Sequence, residues 1–304
     1  MRVTRLQDEN APPPDSHVKP PSQLTVVALT ALALIAFAGN SLLCRLALTR
    51  TDIDAATFTS VRIVSGALVL ALLVRLRTSA TPCAGSWSSA AALFAYAAGF
   101  SFAYEHLTAG TGALLLFGAV QATMISVGVL RGERLRHLQS AGLLLAYAGL
   151  TGLVLPGLAA PPLVSALLML VAGVAWGIYS LRAKGSGDPI SATAGNFLRA
   201  VPMALGVSLV SLQSLETDSA GIMYAIASGA LASGFGYAVW YTALRDLRAT
   251  TAATVQLSVP VLAAAGGVLL LHEALTARLL LAGAAILGGV ALVVLTRRTI
   301  QGVE

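Results

Sequence analysis

Ten apolar runs follow one another between residues 25 and 296, and only short polar connections separate them. A helix of about 20 apolar residues is long enough to cross the hydrocarbon core of a bilayer. Membrane-crossing strands would alternate apolar and polar residues in twos, and these runs do not. The sequence therefore predicts an all-α membrane protein with ten transmembrane helices. The predicted spans are 25–47, 54–76, 86–105, 110–130, 137–155, 163–183, 190–212, 220–243, 249–271 and 277–296.

The low content of charged residues supports this class and excludes a soluble protein. Only 11% of the residues are charged and 57% are hydrophobic, whereas about a quarter of the residues of a soluble protein are charged. The net charge of +6 does not indicate nucleic-acid binding, because the basic residues are spread over membrane loops. The cysteines, Cys44 and Cys83, lack the spacing of a metal site, and we expect no metal and no cofactor.

The two ends of the chain are predicted to lie in the cytoplasm. Residues 1–23 are polar and proline-rich, so we expect a disordered tail there, and residues 298–304 form a second short tail. Most of the 19 lysines and arginines fall on the side of these tails when ten spans are threaded through a bilayer. Basic residues near span ends favour the cytoplasmic side. We therefore expect a multi-pass protein of a bacterial-type inner (plasma) membrane.

Matching residues recur in the two halves of the chain. Glu133 and Glu273 each follow a long apolar run and are 140 residues apart, while Arg62 in span 2 and Arg199 in span 7 are 137 residues apart. Five spans is an odd number, so a second copy of a five-span unit enters the membrane the other way up. The sequence predicts two inverted five-helix repeats, residues 24–156 and 157–297, with the working site at their interface.

Short motifs at matching places connect this pattern to a known family. Residues 109–114 (AGTGAL) open span 4, residues 132–135 (GERL) follow it, and residues 272–275 (HEAL) follow span 9. With the arginines of spans 2 and 7, these motifs resemble the EamA family of the drug/metabolite transporter superfamily. Span 9 has the mid-span proline of the family pattern as Pro260, whereas span 4 has Gln121 near that place. The resemblance implies export of amino acids, other small metabolites or drugs, without fixing the substrate.

Amide side chains inside the spans are candidates for the substrate cavity. Gln121 in span 4 and Asn40 in span 1 are expected to face a cavity or another helix, because an unpaired amide in lipid is unfavourable. Gln256 lies four residues before Pro260, which removes a helical hydrogen bond and frees the Gln256 carbonyl group for a ligand. The alternatives are hydrogen bonds that only join neighbouring spans, and a structural kink at Pro260.

Aromatic side chains are candidates for the wall of the same cavity. Trp176 lies deep in span 6 near Tyr179, and Tyr96 lies in the middle of span 3, which favours a pocket around an amphipathic solute. The alternative is the aromatic belt found at membrane interfaces. We assign Trp240 and Tyr241 to that belt, because they lie near the end of span 8.

The charged candidates near span ends have two interpretations each. Arg62 and Arg199 lie roughly 12 Å inside their spans at 1.5 Å per residue. Each either binds a substrate carboxylate or ties helix ends together, and we favour the tie because the pair recurs symmetrically. For Glu133 and Glu273 we expect helix capping or pairing with loop arginines, with a gating salt bridge as the alternative.

Proton coupling and catalysis have few candidate residues. No aspartate or glutamate lies near the middle of a predicted span, so the buried carboxylate of a proton relay is missing. Glu105 and His106, at the outer end of span 3, are the candidates for proton coupling, with a hydrated loop face as the alternative. The four histidines lie in the tail or in loops, which argues against an intramembrane enzyme.

These features predict a carrier that exports small metabolites, amino acids first among them, by alternating access between the repeats. A multidrug or nucleobase-type exporter is the alternative, and a channel or an intramembrane enzyme fits less well. The expected partners are a small-molecule substrate and the lipid bilayer, with no nucleic acid. The sequence leaves open whether the chain is a monomer or a homodimer.

Overall fold

The computed structural model describes residues 22–77, 84–183 and 187–296, and the regular structure in these ranges is entirely helical. The helices are α1 (Gln23–Arg50), α2 (Ala55–Arg75), α3 (Trp87–Tyr104), α4 (Ala109–Leu130), α5 (His137–Val154), α6 (Leu163–Ala183), α7 (Pro189–Val210), α8 (Ser219–Ile226), α9 (Gly236–Leu244), α10 (Ala249–Gln256), α11 (Ser258–Leu271) and α12 (Ala277–Thr296). A π-helical segment, Ala227–Phe235, joins α8 to α9, and a short 3-10 turn, Leu212–Ser214, follows α7. Cys83 and nearly all of the predicted tails, residues 1–23 and 298–304, lie outside the described ranges, whereas Cys44 is buried in α1.

Nine stretches of the described residues are long and apolar enough to cross a membrane. Ser219–Leu244, which includes the π segment, counts as one of them, as does Thr251–Leu271. The predicted third span corresponds to α3, which has 18 residues, among them three serines and two tyrosines. These side chains lower its hydropathy, and α3 is not among the nine. The chain is therefore an all-helical, multi-pass membrane protein.

Polar residues immediately before several helices fix where those helices begin. Asp54 caps α2, Ser86 caps α3, Thr108 caps α4 and Asp188 caps α7. In each case a side-chain oxygen accepts a hydrogen bond from an N–H group in the first turn that has no partner within the helix. Pro189 follows Asp188 at the start of α7, where proline removes no intrahelical bond.

The helices of the first half pack mainly against those of the second half. α2 packs along α7, α5 along α12, and α4 contacts α11. α3 packs on α6 and α7, while the π segment packs on α1 and α2. α4 also contacts α6, as α11 contacts α1. The core of the bundle is therefore shared between the halves.

Glycine lets two of these interfaces approach closely. A methyl group on Gly142 of α5 would lie 2.6 Å from the carbonyl oxygen of Gly289 in α12. A methyl group on Gly173 of α6 would lie 2.6 Å from the carbonyl oxygen of Leu116 in α4. Small residues at helix interfaces are the usual means of close packing in lipid, where no hydrophobic force drives helices together.

Two spans of the second half depart from regular α-helix. One widens into the π segment, a form that often occurs at functional sites. The other is interrupted at Leu257, between the end of α10 at Gln256 and the start of α11 at Ser258. Pro260 explains this break, because it has no N–H group and its ring crowds the carbonyl group four residues earlier.

Candidate functional site

Arg62 of α2 lies at the centre of the bundle, with 2% of its surface exposed. Its Nη2 donates a hydrogen bond to the hydroxyl of Tyr96 at 2.8 Å, and its Nε donates to Ser233 Oγ at 3.5 Å. The guanidinium carbon lies 4.6 Å from the ring centroid of Phe100 and 5.2 Å from that of Tyr96. These distances are typical of cation–π contacts, so neutral groups hold this charge in place.

Within the described ranges, the Arg62 guanidinium has an unused donor and no acidic partner. Its Nη1 is buried and makes no hydrogen bond to the part of the chain that the structure describes. The salt bridges found among the described residues are Arg45–Glu273 and Arg77–Asp188, and neither includes Arg62. Arginine stays charged under all ordinary conditions. A buried charge without a counter-ion is unfavourable, so this donor is suited to receive an anion.

Asn40 of α1 contributes a second fixed donor beside Arg62. Its Oδ1 accepts a hydrogen bond of 2.6 Å from Ser228 Oγ, and its Nδ2 donates to the Tyr96 hydroxyl at 3.3 Å. The amide of Asn40 is thus held at both ends by hydroxyl groups. Both Ser228 and Ser233 belong to the π segment. We define the Arg62 cluster as Asn40, Arg62, Tyr96, Phe100, Ser228 and Ser233.

Four aromatic side chains extend from this cluster and form what we call the aromatic stack: Tyr96, Trp176, Tyr179 and Tyr237. The Trp176 ring lies between Tyr179 and Tyr237, at 5.2 Å from each centroid and with an interplanar angle of 25° in both cases. Its centroid is also 4.7 Å from that of Tyr96. The structure thus brings Tyr96, Trp176 and Tyr179 together, with Tyr237 of α9 beside them.

A polar cavity of about 360 Å³ lies where α6 ends and α3 and α7 begin. Tyr179 lines it, and its hydroxyl donates a 3.3 Å hydrogen bond to Thr193 Oγ1. Arg182 and Asp188 place a positive and a negative side chain on the same walls. Because Tyr179 also stacks on Trp176, one wall of the cavity continues into the aromatic stack.

The opposite end of α3 is held by a salt bridge, which we call the Arg45–Glu273 clamp. Arg45 Nε lies 3.2 Å from Glu273 Oε1, and Arg45 Nη1 donates to the carbonyl oxygens of Tyr104 at 2.9 Å and Glu105 at 2.8 Å. Glu273 Oε2 accepts a 2.8 Å hydrogen bond from the N–H of Ala109, the first residue of α4. The cation thus lies at the carboxyl end of α3 and the anion at the amino end of α4, where helix dipoles stabilise them.

Glu133 and Glu273 follow their helices in similar but not identical ways, each directly after a residue with positive φ, Gly132 or His272. The N–H of Glu133 donates to the carbonyl oxygen of Gly128, five residues earlier, and that of Glu273 to Gly267, six residues earlier, both at 3.0 Å. In each case the carboxylate lies over the glycine: a methyl group would be 2.8 Å from Glu133 Oε2 on Gly128 and 2.5 Å from Glu273 Oε2 on Gly267. Glu273 therefore caps α4 and pairs with Arg45 of α1, whereas the sequence favours capping of the next helix or pairing with loop arginines.

The other charged candidates lie outside the Arg62 cluster. Arg199 Nη1 donates to the carbonyl oxygens of Ala84 and Gly195, both at 2.9 Å, and so ties the segment before α3 to α7. Glu105 follows the last residue of α3. Burial raises the pKa of its carboxyl group, and the neighbouring His106 acts in the opposite direction.

The remaining candidates from the sequence lie on helices of the α4–α11 side. Gln121 is 5% exposed in α4, Pro260 is buried in α11, and Gln256 is partly buried at the end of α10. None of the hydrogen bonds that hold the Arg62 cluster together includes these residues. They remain candidates for the route of a solute and not for the cluster itself.

Some features of the site were not found from the sequence. Ser228 and Ser233 lie in the π segment, whose two Ser-Gly pairs are the one signal of an irregular helix. Arg45 is too distant along the chain from Glu273 for a local motif to join them. The belt assignment of Trp240 is wrong: the residue is 7% exposed and its ring packs on Phe37 of α1, with 5.8 Å between centroids.

Comparisons with known proteins agree with this architecture. Residues 163–295 match the EamA-like transporter family. "Uncharacterized protein PA1977" of Pseudomonas aeruginosa is 59% identical over 270 residues, which are 88% of this chain and 94% of that protein. "Uncharacterized transporter YoaV" of Bacillus subtilis is 30% identical over 129 residues, which are 41% of this chain and 44% of that protein. A solved crystal structure with 18% identity has a TM-score of 0.62 and covers 92% of this chain and 100% of its own, which is a likeness of fold.

Proposed function

Since this chain belongs to the EamA-like transporter family of the drug/metabolite transporter superfamily and is a membrane permease, we propose that it exports small metabolites that carry a carboxylate, amino acids first among them. Arg62 binds the carboxylate. The observation that carries this proposal is the buried guanidinium, which has an unused Nη1 and no acidic partner among the described residues.

The charge balance of the site favours an anionic group on the substrate. A carboxylate matches the planar fork of a guanidinium and accepts two parallel hydrogen bonds from it. It would also bring a negative charge, which the described residues around Arg62 do not supply. A neutral solute would leave the buried cation uncompensated, so it gains less from entering the site.

The neighbours of Arg62 suit the remainder of a small amphipathic metabolite. Asn40 provides a further polar contact, and the rings of Tyr96, Trp176 and Tyr179 provide apolar surface. Gln121, Gln256 and Pro260 are proposed to line the route on the α4–α11 side. No metal or cofactor is part of the proposal.

The transport mechanism is alternating access between two inverted repeats of five spans, residues 24–156 and 157–297, with α3 as the tenth span. The helix packing supports this arrangement. Each helix of the first half has a counterpart 137 to 140 residues later in the chain. The counterpart of α3 is the π segment with α9, and that of α1 is α6. The α3–α6 contact therefore corresponds to the contact of α1 with the π segment and α9, which is also present. The α4–α6 contact corresponds in the same way to the α11–α1 contact. Such exchange symmetry is expected of an inverted repeat.

The two ends of the bundle differ as expected of one state of an alternating-access carrier, in which one end is closed and the other is open. The Arg45–Glu273 clamp holds one end of α3, while the 360 Å³ cavity opens at the other. Because α1 runs towards Arg45, the cavity lies at the end where α1 begins. With cytoplasmic termini in a bacterial-type inner membrane, this is the side from which an exporter loads its substrate.

The aromatic stack supports a second candidate function. The stacked rings on either side of Trp176, with centroids 5.2 Å away and interplanar angles of 25°, suit a planar heterocycle, as in a multidrug or nucleobase-type exporter. Such a substrate would take the place of Tyr179 or Tyr237 against Trp176 and would not depend on the charge of Arg62. The dependence of transport on Arg62 therefore separates the two functions.

The test is counterflow of radiolabelled amino acids into vesicles that contain the purified protein. Arg62→Gln should lower the flux of the acid by roughly a hundredfold, because it removes about 3 kcal/mol of charge-assisted hydrogen bonding. It should also abolish the preference of the carrier for an amino acid over the corresponding amino acid amide, a ratio that does not depend on the amount of active protein.

Arg199→Gln is the matched control, since Arg199 is the sequence counterpart of Arg62 but contacts backbone carbonyl groups at the edge of the bundle. It should keep the preference for acids. If Arg62→Gln retains that preference, Arg62 is not the carboxylate site and the proposal fails.

A further inference from the structure

Two donors from different helices converge on a single oxygen atom in the Arg62 cluster. The hydroxyl oxygen of Tyr96 receives a hydrogen bond from Arg62 Nη2 at 2.8 Å and another from Asn40 Nδ2 at 3.3 Å. Asn40 is itself held by a 2.6 Å hydrogen bond from Ser228, which restrains the position of its amide. The two N–H donors thus share one acceptor, and that acceptor is the hydroxyl of a protein side chain, Tyr96.

A phenol is a poor match for these donors. It is neutral and therefore does not compensate the charge of Arg62, and its one oxygen leaves Nη1 without a partner. A carboxylate would place one oxygen at the position of the Tyr96 hydroxyl and the other beside Nη1, and would bring a negative charge. The Tyr96 hydroxyl thus stands where one oxygen of a substrate carboxylate would bind.

We propose that Tyr96 is an internal competitor of the substrate, whose hydroxyl fills the carboxylate site of the empty carrier and must leave it when substrate binds. This inference rests on the proposed role of Arg62 as the carboxylate site. In the empty state the hydroxyl keeps two buried donors satisfied, which avoids the penalty of leaving them unpaired. Substrate binding exchanges this weak acceptor for a charged one.

Displacement of the Tyr96 side chain would change its ring contacts with the aromatic stack. The Tyr96 ring contacts Phe100 with 5.5 Å between centroids and Trp176 with 4.7 Å. The side chain is 5% exposed, so it cannot leave the cluster without moving against these rings. Loading of the site is thereby coupled to Trp176 of α6, in the other half of the chain.

Tyr96→Phe tests the competition, because it removes the hydroxyl and keeps the ring. The variant should bind the carboxylate more tightly than the wild type, with a roughly fivefold to tenfold lower KM for the amino acid that shows the largest Arg62-dependent flux. Sodium acetate, as a minimal carboxylate, should raise the thermal unfolding temperature of the variant more than that of the wild type.

Tyr147→Phe is the matched control. It removes a hydroxyl that is bonded to Ser126 on the exposed side of α5, and it should leave KM unchanged. If the Tyr96 hydroxyl instead donates a hydrogen bond to the bound substrate, Tyr96→Phe will raise KM, and this result or an unchanged KM overturns the proposal. Failure of the proposed function would look different, since transport would then be independent of Arg62 in both backgrounds.

Fluorescence provides a second readout that does not depend on flux. The chain has three tryptophans, so replacing Trp87 and Trp240 by phenylalanine leaves Trp176 as the reporter. Substrate should change the emission of Trp176 as the Tyr96 ring moves. Constant emission at concentrations that saturate Arg62-dependent transport would show that Tyr96 stays in place, and would refute displacement.

Discussion

Replacing Glu273 with glutamine should lower the free energy of unfolding by about 3 kcal/mol, as expected when one partner of a largely buried ion pair is removed. The side chains of Arg45 and Glu273 are only 17% and 11% exposed, so water does little to screen their attraction. The glutamine can still accept the hydrogen bond from the N–H of Ala109. Glu273→Ala removes that bond too and should lower the stability by about 1 kcal/mol more, the usual effect of losing a helix cap.

A double-mutant cycle separates the ion pair from other effects of these changes. Unfolding of the wild type, Arg45→Gln, Glu273→Gln and the double variant is followed in detergent micelles with increasing denaturant. The coupling energy should be about 2 kcal/mol. Each single variant already loses the whole attraction between the two charges, so the double variant should be destabilised by less than the sum of the two single variants. Glu216→Gln, at an exposed carboxylate, is the control and should change stability by less than about 0.5 kcal/mol. A coupling energy near zero would refute the reasoning that the clamp holds this end of the bundle.

Two further predictions concern packing and pH. Gly229→Ala should destabilise the protein by about 1–3 kcal/mol, because its methyl group would collide with the carbonyl oxygen of Arg62. Thermal unfolding measures this loss. Gly206→Ala is the control and should be tolerated, because its methyl group would meet no atom within 4 Å. Burial alone would raise the pKa of Asp188, but hydrogen bonds that include one from Ser191 lower it overall. Its stabilising effect is therefore complete above the ordinary aspartate pKa and is lost as the pH falls through the lowered value. Asp188→Asn should weaken the acid dependence of the unfolding temperature, and an unchanged dependence would contradict this assignment.

The positions of the helices could be predicted because a membrane span is encoded locally. The predicted span 163–183 coincides with α6 (Leu163–Ala183), and span 277–296 with α12 (Ala277–Thr296). The family resemblance is confirmed by the match to residues 163–295. α3 is the exception, because its serines and tyrosines lower its hydropathy. Some of these side chains form hydrogen bonds with Arg62 and Arg182 of other helices, which a local sequence pattern does not show.

The different surroundings of the two arginines could not be predicted from the sequence. Arg62 and Arg199 occupy equivalent places in the two halves, a pattern that favours one structural role for both. Their surroundings differ because of residues far along the chain. Tyr96 and Ser233 surround Arg62, whereas Arg199 bonds to the carbonyl group of Ala84. Tertiary contacts, and not the local pattern, decide which of two similar charges is buried.

The polar composition of α3 has a consequence for biosynthesis. A segment of this kind is held in lipid less firmly than its neighbours when it leaves the ribosome, and its main partners, α6 and α7, are translated later. We expect newly made α3 to stay close to the translocon or to the earlier helices until α6 and α7 have been inserted. The packing around Tyr96 is then completed late in assembly.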